Sequence, residues 1–458
     1  MADQYYQQNN LVEAERICRL ILAEKPQDFQ VLHLLAVLEN LAGRNDKAIQ
    51  LLNQVITLCP NSSQGYSNLG NILKNEGRLE EAIAHYQKAI SLEPSNSSNY
   101  SNLGNILKNE GRLEEAMTHY QKAISLEPND SSNYSNLGNI LKNEGRLEEA
   151  IAHYQKAISL EPNDSSNYSN LGNIFFQKSQ VESAIANYEK SLFLDHSNPK
   201  TNFNLGVAWQ NKGDFSKAGT YYQQAINLQP DYVQAHHNLG FIFQEQGNFT
   251  ASIASYQKAI SLEPNDSSNY SSLGNILKNE GRLEEAVAHY QKAISLEPND
   301  SSNYSSLGNI LKNEGSLEEA VAHYQKAISL EPNDSSNYSS LGNILKNEGS
   351  LEEANAHYQK AIELEPNFPV SHLNLSLILL LTGDLKSGFQ EYHWRWQADK
   401  YLSLIQPEKL WNGSNLVGKI ILLHAEQGYG DTIQFIRYLP LVKKTGRANN
   451  FSFSETFN

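Results

Sequence analysis

The chain has 458 residues and a formal net charge of −15, with 51 Asp and Glu against 36 Lys and Arg spread along its length. The absence of a basic stripe argues against nucleic acid as a partner, and the longest apolar run, Leu377 to Leu381, is far too short to cross a bilayer. The two cysteines, Cys18 and Cys59, indicate no disulfide framework, and the N-terminus lacks a signal-peptide pattern, so a reducing, cytoplasmic setting is expected.

Taken in order, the chain repeats itself every 34 residues. Residues 1–26 read as the end of one unit, with Ala14, Cys18 and Pro26 in the positions that Ala150, Tyr154 and Pro162 hold later. Residues 27–60 are a diverged copy and 61–162 are three near-identical ones. Residues 163–264 are three diverged copies, with Phe175, Trp209 and Phe243 where the others use Leu. In the first of them Ser179 replaces a glycine and His196 replaces the closing proline, so this joint is expected to be the loosest. Residues 265–366 are near-identical again, which completes ten full units. A degenerate unit runs on to residue 400, with Ser376 in place of Gly and Arg395 in place of Ala.

Within the copy at 129–162 the pattern predicts two helices. Tyr134, Leu137, Gly138 and Leu141 fall on one helical face. Asp130 or Ser131 suits the start of that helix and Gly145 its end. Leu147, Ala150, Ile151, Tyr154, Ala157 and Ile158 make the apolar stripe of the second, which Pro162 stops. Gly138 and Ala150 are small where the helices should cross, and Tyr134 and Tyr154 should fill the space between successive units. One helix pair cannot bury both stripes, so the expected fold is an all-α solenoid of stacked pairs.

Tyr134, Leu137, Gly138, Leu141, Ala150, Tyr154, Ala157 and Pro162, recurring at fixed spacing over roughly residues 1–400, resemble the tetratricopeptide repeat. The resemblance implies a right-handed superhelix over 27–400, preceded by the partial unit 1–26, with the first helix of each pair lining a concave groove.

On that first helix, Asn136, Asn139 and Asn143 lie roughly opposite the apolar stripe. The equivalents are Asn68 and Asn71, Asn102 and Asn105, Asn170 and Asn173, Asn204, Asn238, Asn275, Asn309 and Asn343; Ser272, Ser306 and Ser340 replace the leading Asn in the later copies. An amide offers a donor and an acceptor, which matches an extended peptide backbone without demanding a particular side chain. The same residues also read as a solvated face carried along by duplication, although Lys, Glu or Gln would serve such a face better than Asn. The ladder resembles that of O-linked N-acetylglucosamine transferases. With no Lys or Arg expected on the face, it does not resemble the carboxylate clamp of chaperone-binding members. The expected function is therefore a scaffold for proteins or extended peptides.

No metal or cofactor site is expected. The recurring His85, His119, His153, His289, His323 and His357 have no second ligand at metal spacing. The pairs Glu148–Glu149 and their copies suit the positive end of a helix dipole.

After a linker at 401–417, the period changes. Residues 418–446 read as strand, glycine turn and helix, the opening of a doubly wound α/β domain. Residues 447–458 offer neither element and read as a disordered tail. Trp411, Gly413, Gly418, Glu426, Gln427, Gly428, Gly430, Asp431, Gln434, Arg437, Tyr438 and Pro440 resemble the start of a heptosyltransferase-like glycosyltransferase domain. The resemblance implies Asp431 as a candidate general base, while the residue reads equally as a helix N-cap. It also implies a second reading, a glycosyltransferase whose repeats recruit the acceptor. That fold binds its nucleotide-sugar in a second half of which this sequence has nothing, so no nucleotide-sugar site and no transferase activity are expected.

Overall fold

A computed structural model of the chain describes residues 2–398. The expectations for 401–417, 418–446 and 447–458, with Asp431, lie outside the described residues. The chain divides into two compact units, with the boundary between Ile276 and Leu277. Among the described residues all regular structure is helical and there is no strand. None of these helices is long and apolar enough to cross a membrane.

The predicted helix pair is present in every full copy. In the copy at 129–162 the first helix is Ser131–Asn143 and the second Leu147–Leu160. Asp130 caps the first by accepting from Ser132 N, and its other carboxylate oxygen accepts from Nδ2 of the buried Asn133. The first helix ends because Gly145 takes a left-handed φ of 77°, which lets Arg146 N reach back to Leu141 O at 2.9 Å. Glycine carries no Cβ penalty there. Ser179 holds the same place with φ 59° and Gln180 N bonds Phe175 O at 2.8 Å, so the closing motif survives without glycine.

Stacking turns two amphipathic stripes into one core. In the first unit a single cluster of buried side chains starts at Ala36 and continues through successive pairs to Ile174. Beyond it the diverged copies carry separate clusters, one around Ala184, Tyr188 and Leu205 and one around Tyr222, Leu239 and Ile242. In the second unit, Ala354 and Tyr358 pack with Leu375 and Ile378 of the next pair.

One expectation needs correction: Tyr154 is expected to fill the space between successive units. Its ring instead seats on Gly138 of its own unit, where a Cβ would stand 3.1 Å from the ring. The aromatic is therefore the filler that a helix crossing at glycine leaves room for. The degenerate last unit lacks a full second helix. After Pro369–Leu381, its second segment breaks into Leu385–Glu391, a 3-10 turn at Tyr392–Trp394 and Arg395–Ala398. With Arg395 in the place of a core alanine, the stripe cannot continue.

Candidate functional site

The predicted amide row sits on the first helices, and these helices also touch their counterparts in neighbouring copies within the first unit. The row is not a freely solvated face. Asn68, Asn102, Asn136, Asn170, Asn204 and Asn238 are half-buried, as are Asn71, Asn105, Asn139, Asn173, Asn309 and Asn343. Asn275 is exposed, as are Asn75, Asn109 and Asn143 one turn further on.

Burial has a local cause. The second-helix tyrosine that fills the space over glycine projects its hydroxyl through to the first helix. Tyr86, Tyr120, Tyr154 and Tyr188 donate to Oδ1 of Asn71, Asn105, Asn139 and Asn173 at 2.6–2.8 Å. In the second unit Tyr324 and Tyr358 do the same to Asn309 and Asn343, at 2.9 and 2.7 Å. Burial holds these phenols in the protonated, donating form: Tyr154 is pushed well above the ordinary range and Tyr324 to about 12. In these six copies the second amide is thus first a partner for a core hydroxyl.

The leading amide links successive copies. Asn136 Nδ2 donates to Asn105 Oδ1 at 3.3 Å, and Asn204 Nδ2 to Asn173 Oδ1 at 2.9 Å. Asn68 bonds His33 at 2.8 Å, and Asn238 Nδ2 donates to the Tyr222 hydroxyl at 3.2 Å.

Lysine is part of the row, contrary to expectation. Lys108 Nζ donates to Asn136 Oδ1 at 2.9 Å and Lys142 Nζ to Asn170 Oδ1 at 3.2 Å. Lys346 bonds Asn374 in the second unit at 2.8 Å. Helical phase places these lysines on the flank of the first helix, but four methylenes carry the ammonium across to the next copy. Burial pulls Lys108, Lys142 and Lys346 below the usual lysine range, and nearby Lys200 lowers Lys142 further. A projection of Cβ directions misses such a group; the recurrence of Lys at one position in the near-identical copies was the available signal.

What remains is chemically asymmetric. Oδ1 of Asn105 and Asn173 each serves two donors, whereas Nδ2 of Asn105, Asn139 and Asn173 has no partner among the described residues. At Asn105 and Asn173 the row therefore presents an amide donor whose carbonyl oxygen is already engaged, and Lys108 and Lys142 add ammonium groups.

The recurring histidines lie elsewhere, against first-helix tyrosines. His119 and His153 pack on Tyr100 and Tyr134 with ring centroids 6.0 Å apart. Burial lowers both, against the pull of Glu115 and Glu149. Among the described residues no group of three or more His, Cys, Asp or Glu side chains could hold a metal ion. The diverged copies also open a cavity of about 550 Å³ lined by Leu192, Phe193, His196, Tyr221 and Leu228, which sequence reading did not anticipate.

Family models agree with the period. Tetratricopeptide-repeat models match residues 30–62, 51–84, and 70–111, 104–145 and 138–178 in turn. A model of the cilia and flagella-associated protein 70 C-terminal domain matches residues 169–372. No curated protein matches the chain significantly. Among solved structures, the chain is similar to the MamA protein, at 26% identity over 38% of this chain and 94% of that one, with a TM-score of 0.35. It is also similar to YrrB, described as a TPR protein with an unusual peptide-binding site, at 24% identity over 41% of this chain and 96% of that one, with a TM-score of 0.37. PilF of Pseudomonas aeruginosa is 20% identical over 47% of this chain and 97% of its own, with a TM-score of 0.42.

Proposed function

Because the chain is a tetratricopeptide-repeat protein, we propose that it is a protein–protein interaction scaffold that holds an extended peptide along the amide row of its first helices. The observation that carries this reading is the unspent Nδ2 donor of Asn105, Asn139 and Asn173, at the same place in three successive copies. An extended peptide presents carbonyl oxygens at regular intervals, and donors fixed at repeated positions suit it. The anchoring tyrosine hydroxyls add to this, because an amide already held by a core group loses little freedom when it binds. A merely solvated face needs no such anchoring.

Selection from a randomised peptide display library tests the reading. Peptides enriched on the wild-type chain should lose binding to the Asn105→Ala, Asn139→Ala, Asn173→Ala triple variant, whose helicity should be unchanged. Undiminished binding by the triple variant would show that the row is not the binding surface.

A further inference from the structure

We propose that the amide row between residues 61 and 162 receives an acidic extended peptide, with Asp or Glu carboxylates seated at the ammonium groups of Lys108 and Lys142. This rests on the groove reading and adds the charge of the partner.

The starting point is how the chain treats its arginines. It carries a net charge of −15, and its exposed arginines are neutralised locally. Arg78, Arg112, Arg146 and Arg282 each pair with the glutamate three residues on, at 2.6–2.8 Å. Lys178 and Lys212 pair across copies with Glu148 and Glu182. Lys108 and Lys142 have no carboxylate partner among the described residues; each ammonium touches one neutral amide oxygen. An amide satisfies one of three donors and cancels none of the charge.

Both lysines are half-buried, which disfavours the charged form, and Lys200 adds like-charge repulsion at Lys142. A carboxylate entering the row would relieve both effects and take the remaining N–H donors, a charge-assisted arrangement. Three residues before each lysine on the same helix stands an amide, Asn105 or Asn139, whose Nδ2 has no partner among the described residues. The oxygen of Asn105 is doubly occupied and cannot accept from a basic ligand. At that position, donors without a free acceptor favour carboxylates and carbonyls over Lys or Arg side chains.

The site is also bounded. The position held by Lys108 and Lys142 is Phe176, Gln210 and Gln244 in the next three copies. Within the first unit the charge therefore belongs to the near-identical copies alone. One lysine per copy implies that successive carboxylates are met by successive copies.

Fluorescence anisotropy with a fluorescein-labelled Glu-Ser repeat peptide, against a Gln-Ser peptide of equal length, tests this. The wild-type chain should bind the Glu-Ser peptide more tightly, and added salt should weaken that binding. Lys108→Gln with Lys142→Gln should weaken it by about tenfold, while Lys108→Arg with Lys142→Arg should stay close to wild type. Equal affinity for the two peptides, no binding of the Glu-Ser peptide, or indifference to Lys→Gln would overturn the proposal. Peptides from the display library that bind through the Asn row, yet ignore the Lys→Gln change, would leave the groove reading standing while the acidic partner falls. Loss of Glu-Ser binding in the Lys→Gln chain but not in the Asn→Ala triple variant would separate them the other way.

Discussion

At the scale of single residues, one substitution among near-identical copies has a traceable cost. Asp130 caps its helix through Ser132 N and also bonds the buried Asn133 Nδ2 at 2.8 Å. The equivalent Asn96 makes no side-chain cap bond, and Nδ2 of the buried Asn99 has no partner. Asn96→Asp restores both contacts. A cap and a satisfied buried donor each contribute about 1 kcal/mol, so this variant should melt higher than wild type; an unchanged or lower Tm in calorimetry would contradict the account. The residues that follow the cap are the same in the two copies, and the one before it is Ser95 in place of Asn129. The row amides follow a similar logic: Asn139 is placed by the Tyr154 hydroxyl, and its remaining donor is what is left for a ligand.

At the scale of elements, the copy ending in His196 is the weak joint. Ser179 takes a left-handed φ of 59° without the freedom of glycine, at a cost of about 1 kcal/mol. Ser191 stands where the core has alanine, and its buried hydroxyl has no partner. The continuous cluster from Ala36 has Ile174 as its last member, inside this copy. A solenoid is stabilised by unit and neighbour contributions that add, so a weak joint opens locally. Amide hydrogen exchange should be faster across 163–196 than across 97–162, and Ser179→Gly should slow it in that copy. Uniform protection through 97–264 would show the joint to be as firm as its neighbours.

At the scale of the whole molecule, small terms repeat. His85, His119, His153, His323 and His357 are all held below the ordinary histidine value, chiefly by burial. The unfolded chain therefore binds more protons than the folded one between the lowered value and about 6.5. Stability rises with pH in that window. The contribution is fully present above about 6.5 and is lost as pH falls through the lowered values. The carboxylates of Glu81, Glu115 and Glu149, which bond to arginine, titrate below this range and do not oppose the trend. Thermal melts should therefore fall between about pH 7 and about pH 5, and replacing His119 and His153 with Gln should flatten that fall. An equal fall in the variant would assign the acid sensitivity to other groups.

The repeated unit, its two helices and its core stripe were legible from the sequence, because 34-residue recurrence and 3.6-residue periodicity are both local properties of the chain. So were the glycine and aspartate at the helix ends, whose chemistry is set by their nearest neighbours. The amide row was legible as a pattern, but its state was not. Whether an Asn faces water or a buried phenol depends on a tyrosine fifteen residues away, as with Asn139 and Tyr154. Whether the row is neutral depends on a lysine reaching out of the preceding copy, as Lys108 does to Asn136 across 28 residues of chain. Packing alone brings those groups together, since a helical projection follows the backbone while the hydrogen bonds follow the ends of the side chains.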